Sequence, residues 1–120
     1  MNFGLYIKKL RLNKDLTLRE FCKKNGHDAS NWSKIERGKN LPPSDDSVLE
    51  QWAKQLGVEK FSTEWYTLID LAAVARGEIP NDLKEDKNII AKLPLFYRTL
   101  RGQKPTDDEM KNVAKLLKEN

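Results

Sequence analysis

Residues 16–39 read Leu16-Thr17-Leu18-Arg19-Glu20-Phe21-Cys22-Lys23-Lys24-Asn25-Gly26-His27-Asp28-Ala29-Ser30-Asn31-Trp32-Ser33-Lys34-Ile35-Glu36-Arg37-Gly38-Lys39, and this stretch decides the fold. Thr17 with Glu20 three positions on is a capping box, each side chain satisfying a backbone N–H that a helix start leaves open. Leu18 and Phe21-Cys22 fall on one face of the helix that follows. Asn25-Gly26 ends it, because glycine adopts the left-handed cap conformation without a Cβ penalty. Asp28 caps a second short helix, which runs to about Arg37 and stops at Gly38. Trp32 and Ile35, three apart, form its inner face toward Phe21, and His27 is read as a turn residue. Ala29, Ser30, Ser33 and Lys34 are left on the opposite face, small or polar and ending in a cation.

The same punctuation continues on both sides. Leu5, Ile7, Leu10 and Leu12 form an apolar stripe before the quoted stretch, with Lys8, Lys9 and Arg11 between them. After it, Asn40-Leu41-Pro42-Pro43-Ser44 cannot extend a helix and reads as a loop. A fourth helix is predicted from about Asp45, with Val48, Leu49, Trp52, Ala53 and Leu56 inward and Gly57 as its stop. Ser62 caps a fifth over Thr63 to Arg76, with Trp65, Leu68, Ile69, Ala72 and Ala73 on its apolar face. Beyond Gly77 and Pro80, the apolar residues Ile89, Ile90, Leu93, Leu95, Phe96 and Leu100 predict one or two short helices broken around Pro94. Thr106 with Glu109 is a second capping box, and Met110, Val113, Ala114 and Leu117 make a narrow stripe on a last helix. No segment sustains strand-like alternation, so the fold class is all-α.

Composition excludes several function classes. A chain of 120 residues with one cysteine and one histidine has too few ligands for a zinc site and none to spare for a disulfide framework. Lone Cys22 reads as a small buried hydrophobe in a protein of the reducing cytoplasm. No apolar run reaches the roughly 18 residues of a membrane span, and the N-terminus lacks the pattern of a signal peptide. The carboxylates Asp45-Asp46 and Asp107-Asp108-Glu109 read as helix N-terminal charges rather than as a catalytic pair, so no enzyme is expected. The net charge of +4 is placed unevenly: residues 1–40 hold ten Lys or Arg against four Asp or Glu, whereas residues 61–120 hold ten against ten. A basic first third on a neutral remainder fits a localised surface for a polyanion.

Two short helices across a tight turn, the second anchored inward and small on its outer face, form the helix-turn-helix geometry. The residues that carry a resemblance are Leu16 through Cys22, Asn25-Gly26, Trp32-Ser33-Lys34-Ile35-Glu36-Arg37-Gly38-Lys39, and Leu49 through Val58. Over about residues 4–60 the chain resembles the Xre family, which includes Cro-like phage repressors. The resemblance implies a five-helix, lambda-repressor-like domain with its third helix in the major groove of double-stranded DNA. It implies that Ala29, Ser30, Asn31, Ser33 and Lys34 face the bases. It implies that Thr17, Arg37, Lys39 and Asn40 approach phosphates. Arg11 and Glu36 match a structural ion pair that joins the first helix to the third. The sequence departs from the family at Leu18, where a Gln often bridges phosphate and a base-reading side chain, and at Asn25 and His27, which make the turn more polar.

The expected organisation is a DNA-binding domain over residues 1–60 and a helical extension over 61–120. One short reading helix spans few base pairs, so a homodimer on an inverted repeat is the natural source of further affinity, with the extension supplying the dimer surface. The function implied is transcriptional regulation, as a repressor without a cofactor. The alternative is an antitoxin-type interaction protein whose C-terminal half binds a toxin or other partner protein, and which also represses its own operon.

Overall fold

The computed structural model describes residues 1–102, 106–108, 111 and 115, and the helices among them are α1 (Phe3–Asn13), α2 (Leu18–Asn25), α3 (Ala29–Glu36), α4 (Asp46–Gln55), α5 (Thr63–Arg76), α6 (Asn81–Lys84) and α7 (Lys87–Leu100). No strand occurs among the described residues, so the fold is all-α. Met110, Val113, Ala114 and Leu117, expected on a last helix, lie outside the described residues, as does Glu109 of its capping box.

Local chemistry sets the helix ends. Asn2, Thr17, Asp28, Asp45, Ser62 and Asp86 each cap a helix by accepting a backbone N–H from its first turn. At the α2 start the capping box closes in both directions, Glu20 N–H to Thr17 Oγ1 at 3.2 Å and Thr17 N–H to Glu20 Oε1 at 3.1 Å. Hydrogen bonds from the Thr17 side chain, and next from its backbone N–H, hold the exposed Glu20 carboxyl below its ordinary range. Gly26 closes α2 in the left-handed region at φ 73°, which sharpens the turn into α3.

The chain divides into two compact units, residues 1–80 and 81–120. The division falls later than the boundary at residue 60 expected from sequence, and packing explains why. Helix α5 packs on α1 and α4, and its Trp65, Leu68 and Ala72 belong to one buried cluster with Phe3, Ile7, Phe21, Trp32, Ile35 and Leu49. A helix that supplies this much core cannot belong to an appendage. Burial of each large side chain contributes about 1.5–3 kcal/mol, so α5 is integral to the unit's stability.

His27 does more than occupy the turn. Its ring lies 4.6 Å from Trp32 and 5.8 Å from Phe21, with an edge-on contact to Trp52 at 5.7 Å. Its Nε2 is 2.5 Å from Gln55 Oε1. The polar turn is thus tied to α4 by the hydrogen bond to Gln55 and the Trp52 ring, and to α2 and α3 by the rings of Phe21 and Trp32.

In the second unit α6 packs on α7. Helix α7 runs through Pro94, where a break was expected. Proline's fixed φ is itself helical, and the helix continues at the cost of one backbone bond to the Ile90 carbonyl. Among the described residues no helix is long and apolar enough to cross a membrane.

Candidate nucleic-acid interface

Helix α3 is held from behind by a buried network. The Arg11 guanidinium meets the Glu36 carboxylate twice, Nε to Oε2 at 2.8 Å and Nη2 to Oε1 at 2.9 Å. Its third nitrogen, Nη1, donates to the Leu16 carbonyl at 2.8 Å. The Trp32 indole N–H donates to Glu36 Oε2 at 2.7 Å. Both charged side chains are almost wholly buried, at 6% and 4% exposure. A forked pair of this kind fixes direction as well as distance, so α1, the α1–α2 turn and α3 are locked at one angle. The hydrogen bonds to Glu36 hold the Arg11 guanidinium above its ordinary range. Close beside it, burial pushes the Cys22 thiol up.

Close packing reinforces the lock. Gly4 in α1 lies against the last turn of α3, where a Cβ would come within 2.6 Å of the Ile35 carbonyl oxygen and closer still to that of Glu36. Only glycine permits this approach.

With Trp32, Ile35 and Glu36 turned inward, α3 presents Ser30, Asn31 and Lys34 to solvent, with Ser33 half-buried on one flank. Ala29 is half-buried and packs against the core cluster. Arg37 caps the helix and folds back, its Nε donating to the Ser33 carbonyl at 3.3 Å. Lys39 and Asn40 follow in a turn bound to the end of α3: both backbone N–H groups donate to the Lys34 carbonyl, at 2.8 and 3.3 Å. Thr17 lies at the α2 N-terminus, where its Oγ1 accepts the Glu20 N–H and its hydroxyl hydrogen-bonds the Glu20 carboxyl.

The structure therefore brings Ser30, Asn31, Ser33, Lys34, Arg37, Lys39 and Asn40 onto one helix and its following turn. A groove of about 420 Å³ between α1 and α3, with Lys8, Leu18, Ser33 and Arg37 in its lining, extends this surface toward α1. A backing residue that sequence reasoning left without a part is Gly4, whose one signal is its small size. A second is Gln55, which has no local signal at all. No cluster of His, Cys, Asp or Glu suited to a metal occurs among the described residues.

No curated protein and no solved structure matches the chain. A family model described as a helix-turn-helix domain matches residues 4–71, more than half of the chain. The match takes in α1 through α4 and most of α5, which is the set of helices that share the core. The chain belongs to this family of helix-turn-helix domains.

Proposed function

We propose that this protein is a sequence-specific regulator of transcription that binds double-stranded DNA through α3. It acts in the cytoplasm as an Xre-type repressor, without a cofactor, and pairs as a homodimer on an inverted repeat. The observation that carries this reading is the exposed polar row Ser30, Asn31 and Lys34 on a helix whose opposite face is locked by Arg11, Glu36 and Trp32. A reading helix needs both a face that fits the major groove and a fixed angle of presentation. Ser33 and Ala29 complete the base-facing set, while Thr17, Arg37, Lys39 and Asn40 serve the phosphates. The excess of ten basic over four acidic residues in the first 40 supplies the sequence-independent attraction.

The test is enrichment of bound duplexes from a random library, followed by mobility-shift titration of the enriched site at two salt concentrations. Specific binding that Lys34→Ala weakens by roughly 5–150-fold supports the reading. Binding that is sequence-blind and vanishes with salt refutes it.

The alternative, an antitoxin-type protein with a partner protein, has its own observation. Helix α7 exposes Ile90, Phe96, Tyr97 and Leu100, and an apolar face of this kind serves either a second copy or another protein. Light-scattering mass separates the two: a dimer supports self-pairing, and a monomer that binds no specific DNA supports the partner.

A further inference from the structure

Asn31 and Asn40 are nine positions apart and joined directly: the Asn40 Nδ2 donates to the Asn31 Oδ1 at 2.8 Å. The backbone at both ends of this bond is held in place. Asn31 sits in the first turn of α3, its backbone N–H donating to the Asp28 cap at 2.9 Å. Asn40 is placed by the paired bonds of Lys39 and Asn40 N–H to the Lys34 carbonyl, after a reversal at Gly38, whose φ of 75° is left-handed. Three residues further on in the same loop, the Pro43 carbonyl accepts from Arg76 Nη1 at 2.6 Å, which ties the loop to the end of α5.

The bond has a chemical consequence. A side-chain amide carries a carbonyl acceptor and an NH₂ donor, and free asparagine can turn either one outward. Here the carbonyl of Asn31 is already engaged by the protein, while its Nδ2 has no partner among the described residues. Both side chains are exposed on the surface that α3 presents.

We propose that Asn40 is a positioning residue that sets the polarity of Asn31, so that Asn31 reads a hydrogen-bond acceptor on a base edge in the major groove. Guanine, with N7 and O6 both acceptors, is the base that fits best. Cytosine, which offers the N4 amino donor there, fits worst. The inference rests on the DNA-binding reading above and deepens it. Asn40 itself touches no base; it determines which end of its neighbour does. Exclusion of water at a protein–DNA contact strengthens this bond relative to its value in the free protein.

Substitution at Asn40 separates orientation from contact. Asn40→Ala removes the donor and frees the Asn31 amide to turn. Asn40→Asp supplies a group that can only accept, so Asn31 must offer its Nδ2 inward and its carbonyl outward. Random-library enrichment is run with wild type, Asn31→Ala, Asn40→Ala and Asn40→Asp. The readout is the ratio of affinities for guanine and cytosine at each position, because a ratio cancels the general repulsion between an added carboxylate and DNA.

The expected result is one position at which wild type prefers guanine about tenfold. There the preference falls to within about twofold for Asn31→Ala and Asn40→Ala and inverts for Asn40→Asp, other positions being unchanged. Wild-type enrichment with the same base preferences in both Asn40 variants overturns the inference and leaves the DNA-binding reading standing. A uniform loss of affinity at unchanged ratios likewise overturns it, leaving Asn40 with a phosphate contact alone and no part in base preference. Failure of wild type to enrich any sequence overturns both. Because the pair is exposed, the melting temperatures of the variants are expected to match wild type, which keeps a folding defect from imitating any of these outcomes.

Discussion

Removal of the Glu36 carboxylate is the sharpest perturbation of the scaffold behind α3. Glu36→Ala deletes the acceptor of three hydrogen bonds, two from Arg11 and one from the Trp32 indole. It leaves Arg11, 6% exposed, with the Leu16 carbonyl as its remaining partner. Breaking a buried pair from one side costs about 3–5 kcal/mol, because the surviving charge stays desolvated. The orphaned indole N–H belongs to the same loss, so about 4 kcal/mol is the expected total. A unit of this size has a total stability of only about 4–12 kcal/mol. The melting temperature should fall by about 15–30 °C.

The double variant Arg11→Met/Glu36→Leu distinguishes this reasoning from simple loss of packing. It removes both charges and fills the space with apolar atoms, a replacement that is often close to neutral. What remains is chiefly the buried unsatisfied indole, about 1–3 kcal/mol, since the Leu16 carbonyl that loses Arg11 is only part-buried. The double variant should therefore be more stable than Glu36→Ala alone. Urea titrations followed by tryptophan fluorescence, compared at equal slope, measure both values. A cost below about 1 kcal/mol for Glu36→Ala, or a double variant less stable than the single one, would refute the reasoning.

Three further outcomes are expected. Gly4→Ala places a methyl group against the Ile35 and Glu36 carbonyls and should cost about 3 kcal/mol in urea titration, since rigid backbone rather than a flexible side chain must give way; a change under about 0.5 kcal/mol would show that α1 and α3 separate freely. Cys22, buried and with its thiol pushed up, should resist alkylation in the native protein and react at the rate of unfolding, so fast stoichiometric labelling in native buffer would contradict its placement. The carboxyls of Glu20 and Asp45 are held below their ordinary ranges, first by the side-chain hydrogen bonds of Thr17 and Ser47 respectively. Their folded values lie below the unfolded ones, so their contribution is present above the ordinary carboxylate range of about 4 and is lost as pH falls through the depressed values. Urea midpoints followed downward from about pH 5 should decline, and Glu20→Gln should flatten part of that decline.

How far the sequence could be read depended on the range of the interaction. The capping box of Thr17 and Glu20, the Asp28 and Ser62 caps and the left-handed Gly26 and Gly77 each involve a few neighbouring residues, so their pattern predicts them directly. The inward turn of Trp32 and Ile35 is a matter of helical spacing. His27 escaped such a reading because its surroundings come from three helices: Phe21 of α2, Trp32 of α3, and Trp52 with Gln55 of α4. Gly4 escaped it because a close approach to α3, more than thirty positions away in the chain, leaves no trace in its neighbours. Pro94 went against the local rule because a single lost backbone bond does not stop a helix that its other bonds support.

The same distinction applies to the candidate interface. Spacing marks Ser30, Ser33 and Lys34 as outward-facing, and a one-dimensional pattern treats each as an independent reader. The bond between Asn31 and Asn40 makes one polar group conditional on another across nine positions. At Leu18, α2 offers an apolar side chain that cannot hold a neighbour's amide. The amide is instead held from the opposite end of α3, by the turn that Lys34's carbonyl and Arg76 keep in place. Base preference in this protein would then depend on the integrity of that turn as much as on the face of the helix, and substitutions in the loop of residues 38–43 should alter specificity without touching a base.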